Sequence, residues 1–151
     1  MSVVRLTLEN YRRFSKADFA FAQSGITLIT GPNGAGKSTI LESVYLLCMG
    51  KSPREVRFTS LLNRTPPAAS YFRVEASTSS NSEGAPEPVS RSVSFLAGSG
   101  VAYHVGDRSV KRSELIGRPP VVLFSADEMQ SGTGAPALRR RIRRHDPLDR
   151  R

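Results

Sequence analysis

Residues Gly31-Pro32-Asn33-Gly34-Ala35-Gly36-Lys37-Ser38-Thr39 spell a complete phosphate-binding loop of the form GxxxxGK[ST]. Glycines at 31, 34 and 36 free the backbone to turn successive N–H groups inward, making a concave anion nest at the positive end of the helix that follows. Lys37 then meets the β- and γ-phosphates as a point charge. The Ser38 hydroxyl is suited to Mg2+, which takes few protein ligands and keeps phosphate oxygens around it, and Thr39 adds a second hydroxyl near the α-phosphate. Nucleoside triphosphate, ATP with Mg2+, is therefore the expected ligand.

Such a loop works only between a strand and a helix, and the flanking sequence predicts both. Gly25 to Thr30 is a short β-branched apolar run. Thr39 to Met49 has apolar residues at helical spacing, with Ile40, Leu41, Val44, Leu47 and Cys48 on the expected core face and Gly50 and Pro53 as the stop. Upstream, Val4, Leu6 and Leu8 alternate with polar residues, and Ala17, Phe19 and Phe21 repeat the alternation. The opening reads strand, turn, strand, turn, strand, phosphate loop.

Lys51 to Arg57, with three basic residues broken by Pro53, is expected at the surface. Downstream of Pro66-Pro67, the stretches 71–78, 89–97 and 101–105 read as three strands of an antiparallel meander. A short helix capped by Ser113 follows, and Val121 to Phe124 has the continuous apolar character of a buried central strand. The fold class is α/β: a P-loop NTPase lobe with an antiparallel β meander.

The chain has 151 residues and a formal net charge of +9, enough for one core. Two segments are expected, 1–138 as the nucleotide-binding part and 139–151 as a basic tail. That tail carries seven arginines against Asp146 and Asp149. It serves two readings, an attractor of phosphate polymers or a solvated end. No apolar leader or run of membrane-spanning length occurs, so a cytoplasmic protein without a membrane partner is expected. Cys48 is the single cysteine and is expected to be buried. His104 and His145 stand isolated, so no metal-ligand cluster or Ser/His/Asp nucleophile arrangement is read.

Three further stretches resemble a known family. Leu8-Glu-Asn-Tyr-Arg-Arg-Phe14 is similar to the amino terminus shared by RecF, SMC and SbcC-type proteins. The segment from Leu41 to Arg54, a glutamate-bearing helix ending in Gly, a basic residue, Ser and Arg, resembles the RecF pattern. The segment from Val105 through Ser113-Glu-Leu-Ile-Gly117 to Val121-Val-Leu-Phe-Ser-Ala-Asp-Glu-Met129 resembles the RecF stretch ending in "VVxFSPEDL". The resemblance runs over about residues 3 to 141 and is to the amino-terminal part of RecF-family proteins.

The resemblance implies the amino-terminal lobe of an ABC/SMC-type ATPase head serving DNA replication, recombinational repair and the SOS response. It implies DNA at single-strand/double-strand gaps as a partner, a homodimer or a missing carboxy-terminal half, and recombination mediator proteins. Gly31 to Ser38 would hold ATP and Mg2+. Arg12 and Arg13 lie where related heads approach the nucleotide, so either is a candidate for phosphate or ribose contact, against the plainer reading of exposed side chains. Arg54 matches a basic position facing nucleotide or DNA.

Two departures bear on catalysis. Asp127-Glu128 imitates a Walker B pair, yet two residues separate it from the apolar run, and the resemblance assigns this stretch to another motif. A signature segment of the LSxGQ type is not recognised, so the chain alone is expected to bind ATP without turnover. A transporter-type ABC subunit, with Tyr11 stacking on adenine, is the enzyme-class alternative. A basic DNA-binding remnant is the non-enzymatic one. Past Arg141 the resemblance stops, and a truncated head is expected to leave apolar strand faces exposed.

Overall fold

The computed structural model describes residues 2–65, 67–79, 89–117 and 119–123. Its frame is one antiparallel sheet of six strands in the order β2-β1-β3-β4-β5-β6. The strands are β1 (Ser2–Tyr11), β2 (Phe14–Ala20), β3 (Tyr71–Ser79), β4 (Val89–Leu96), β5 (Gly100–Val105) and β6 (Arg108–Val110). Between β2 and β3 the chain leaves the sheet, forms the phosphate loop and helix α1 (Lys37–Met49), passes through a short 3-10 turn (Phe58–Leu61) and returns. A four-residue helix, α2 (Arg112–Leu115), follows β6.

Alternation places Leu6 and Leu8 of β1, Phe72, Val74 and Ala76 of β3, and Val93 and Phe95 of β4 on one buried face. Helix α1 covers that face with Ile40, Leu46 and Leu47. At one end the rings of Phe58, Phe72 and Phe95 stack on one another, and Tyr11 meets Phe72 edge-on at 5.3 Å between centroids.

The far end of α1 is closed by several donors. Gly50 takes a left-handed conformation (φ 61°) and returns its N–H to the Leu46 carbonyl at 2.7 Å. Arg112 Nε donates to the Met49 carbonyl, and the Tyr103 hydroxyl to that of Gly50. The cation suits the negative end of the helix.

The meander and the first two strands lie where the sequence places them. Four expectations change. Gly25 to Thr30 runs without strand pairing, and Ile26 and Leu28 are 97% and 82% exposed, because no described strand lies beside them. Residues 121–123 form no strand either, with Val122 exposed, while Phe124, Asp127, Glu128 and the tail 139–151 lie outside the described residues. On α1 the buried stripe includes Glu42 and Ser43, and Leu41 is half exposed, so the core face is rotated from the one that apolar residues alone indicate. Helix α2 starts one residue early: Lys111 is its N-cap, and the Glu114 carboxylate accepts from the Lys111 N–H at 3.0 Å.

Candidate functional site

The phosphate loop needs unusual backbone, and it has it: Gly31, Gly34 and Gly36 adopt φ of 150°, 79° and 102°. Gly36 is the N-cap of α1, in the left-handed region that glycine tolerates and other residues resist. The carbonyl of Gly36 accepts the N–H of Thr39 and of Ile40, so the helix starts directly from the loop. The free N–H groups of that first turn carry the positive end of the helix dipole.

Lys37 folds back over the loop, its Nζ donating to the carbonyls of Gly31 at 2.7 Å and Pro32 at 2.8 Å. That bridge holds the ammonium against the loop backbone, at the edge of the cleft. The Ser38 side chain is exposed next to it and makes no hydrogen bond among the described residues. A free hydroxyl at the first turn of a helix, beside a site for phosphate oxygens, fits Mg2+. Ser38 would hold the cation, and the cation would spread the charge of the β- and γ-phosphates.

The loop faces an open cleft of about 1040 Å³. Asn33, Gly34, Gly36, Lys37, Ser38 and Thr39 form one side, the β1–β2 turn with Arg12 and Arg13 another, and Leu62 to Thr65 the third. The volume suits a nucleoside triphosphate. Pro32 and Ala35 shape the loop, with the Ala35 N–H bonded to the Pro32 carbonyl at 3.1 Å.

The two arginines expected at the nucleotide are placed differently. Arg12 is half-buried and its Nε and Nη2 donate to the two carboxylate oxygens of Glu42 at 3.1 and 2.8 Å. Its Nη1 lies 3.3 Å from the Ser60 carbonyl and 3.5 Å from Glu55. Burial opposes the Arg12 charge, but the Glu42 bonds outweigh it and hold the guanidinium above its ordinary pKa. Glu42 is itself buried and also accepts from the Ser52 hydroxyl. Arg13 is exposed and lies across the loop glycines.

Tyr11 is not placed to stack on a ligand. It is fully buried, its hydroxyl has no hydrogen-bond partner among the described residues, and burial drives its pKa far up. Arg54 is exposed on the loop after α1 and does not line the cleft. The wall formed by Asn63, Arg64 and Thr65 is the part that sequence reading missed. Asn63 is buried, its Oδ1 accepts from the Thr65 N–H at 2.7 Å, and its backbone N–H pairs with the Asn10 carbonyl at 2.8 Å. An Asn two residues before Thr and a Pro pair is a turn signal, but nothing in it points to the cleft.

Among the described residues, no helix is long and apolar enough to cross a membrane, and no group of three or more His, Cys, Asp or Glu is placed to hold a metal ion.

Comparison with known proteins agrees with this geometry. The family model described as AAA domain matches residues 5–120. Two curated relatives are the DNA replication and repair protein RecF of Salinibacter ruber, 32% identical over 91% of this chain, and that of Halalkalibacterium halodurans, 31% identical over 94%. The chain spans 32% and 36% of their lengths, about a third. A solved structure of the recombination mediator protein RecF with ATP superposes at a TM-score of 0.78 and 25% identity, covering 93% of this chain and 37% of the other. An SMC ATPase chain superposes at 0.76 and 21% identity, covering 95% of this chain and 98% of the other. The shared fold is that of SMC and RecF ATPase heads, of which this sheet and helix form the amino-terminal part.

Proposed function

The chain belongs to the AAA-domain family, and from that membership we propose that it is the ATP-binding portion of a RecF-like DNA replication and recombinational repair protein. The observation that carries the reading is the cleft itself. A glycine nest, the free first turn of α1, the Lys37 ammonium and the exposed Arg13 converge on one volume of triphosphate size. Gly31 to Thr39 hold the phosphates, Lys37 neutralises the terminal ones, and Ser38 ligates Mg2+.

Turnover is not expected of these residues alone. Two described carboxylates stand at or beside the cleft: Glu42 is committed to Arg12 and Ser52, and Glu55 lies 3.5 Å from the Arg12 Nη1. ATP here acts as a ligand that organises the head, and the hydrolytic groups come from a carboxy-terminal half or a second copy. In the same reading DNA is bound in an ATP-dependent way in the cytoplasm, at gaps between single and double strands. The RecF relatives and the RecF–ATP structure support this, as does the basic balance of the chain.

Calorimetric titration of the chain with Mg2+ and a non-hydrolysable ATP analogue tests the ligand. Saturable binding by the wild type, lost in Lys37→Ala, is the expected result. Absence of binding by a folded wild type, or equal binding by Lys37→Ala, overturns it. DNA affinity that rises with the analogue and falls steeply with salt is expected in a parallel assay; indifference to the analogue overturns the ATP dependence.

A further inference from the structure

Two adjacent arginines at the mouth of the cleft do different work. We propose that Arg12, although it lines the cleft, acts as a positioning residue, and that its clamp on Glu42 aims Arg13 at the phosphates. This rests on the ATP-binding reading above and adds to it the cation that accompanies Lys37.

The turn that carries both residues is held in conformations that L side chains rarely adopt, with φ of 49° at Asn10 and 55° at Arg12. Such backbone persists only where the surroundings fix it. Here the Arg12 N–H donates to the Leu61 carbonyl at 2.7 Å, the Asn10 carbonyl accepts from Asn63 at 2.8 Å, and the Tyr11 ring is sunk against Phe72. The side chain completes the lock. All three guanidinium nitrogens of Arg12 are engaged, two of them on a buried carboxylate in the fork geometry that arginine and carboxylate share.

Arg13 has the opposite environment. It makes no hydrogen bond or ion pair among the described residues and lies along the loop. Its Cδ is 3.0 Å from where a Cβ on Gly36 would be, and its Nη1 is 3.7 Å from the same point on Gly34. An uncompensated guanidinium over an anion nest is a phosphate contact; one paired with Glu42 is a strut. Glu42 stands on α1 one turn past Ser38, so the clamp joins the turn to the helix whose first N–H groups face the phosphates. Arg13, the loop and the helix start therefore move as one body.

The test uses the full chain, Mg2+ and the same ATP analogue. Arg13→Ala and Arg12→Ala should each weaken binding about tenfold, as loss of one charge-assisted contact does, and the double variant no more than either. Glu42→Gln, which loosens the clamp and frees Arg12, should weaken binding to the same extent. Additive losses in the double variant, or binding by Glu42→Gln as tight as wild type, would mean that Arg12 contacts the nucleotide itself and would overturn the proposal.

Amide exchange on the ligand-free chains reads the clamp without nucleotide. In Glu42→Gln, exchange at the hydrogen-bonded amides of Arg12, Ala35 and Thr39 should rise about tenfold while β3 to β5 keep their protection. Unchanged exchange at the turn and loop would refute the clamp. A wild type that does not bind the analogue would sink the ATP reading alone, leaving the exchange result to decide the role of Arg12.

Discussion

The ring of Phe14 occupies the space that a side chain on Gly36 would need: a Cβ there would lie 2.5 Å from Cζ of the ring. The first residue of β2 thus touches the start of α1, and the phosphate loop is pinned from above by the turn that carries Arg13.

Gly36→Ala should therefore fail twice, by strain at φ 102° and by collision with Phe14. We expect loss of analogue binding and a destabilisation of about 1–3 kcal/mol in denaturant melts. Gly98→Ala is the control, with φ 89° but nothing within 4 Å of the added Cβ. It should be destabilised by strain alone and bind as wild type does. Normal binding by Gly36→Ala would contradict the geometry of the loop.

Tyr11→Phe removes a buried hydroxyl with no partner among the described residues, so stability should hold or rise, and analogue affinity should not change. Tyr11→Ala should instead cost about 3–5 kcal/mol through the cavity left beside Phe72. A drop in affinity for Tyr11→Phe would mean that the hydroxyl reaches the ligand, against its burial.

Alkaline pH should weaken the fold before it ionises the core. Burial pushes the Cys48 thiol up from 9.0 to about 11, with the Arg91 charge pulling the other way. Above pH 9 the unfolded chain therefore releases this proton first, and stability declines as pH rises from about 9 to about 11. Tyr11, raised by burial, adds to the decline above its ordinary value of 10.0. The unfolding midpoint measured across this range should fall less steeply in Cys48→Ala. Equal slopes would show that the thiol is not excluded from water.

Ile26 and Leu28 stand 97% and 82% exposed on a segment outside the sheet. Apolar side chains in such a segment favour association between chains. Light scattering over a concentration series should show less self-association for the Ile26→Ser, Leu28→Ser double variant. No change would mean that this segment is covered in solution.

The loop motif was legible because phosphate binding demands particular residues at fixed spacing, and the meander because alternation writes inside and outside directly into each strand. That Gly25 to Thr30 runs outside the sheet was not recoverable, since its composition reports a preference for pairing and not the presence of a partner. Strand β6 is three residues long, too short for alternation to register. The division between Arg12 and Arg13 was hidden for a different reason. It depends on Glu42, thirty residues away, and only the one carboxylate of α1 hinted that a cation was required beside it. Apolar spacing likewise favoured Leu41 as core, while burial of Glu42 and Ser43 turns the helix away from it.

Strand β1 is paired on its inner side with β3, Ser2 facing Ser79 and Glu9 facing Arg73. The whole phosphate loop and α1 are thus an excursion between two strands that are neighbours in space. During synthesis the loop leaves the ribosome while its scaffold is still unmade, and the sheet cannot close until residue 79 has emerged. Contacts so distant along the chain are slow to form, because the intervening segment must surrender its freedom before they reward it. Nucleotide capture is consequently a late event in the life of the nascent chain, and a polypeptide arrested before β3 would carry the motif without the site.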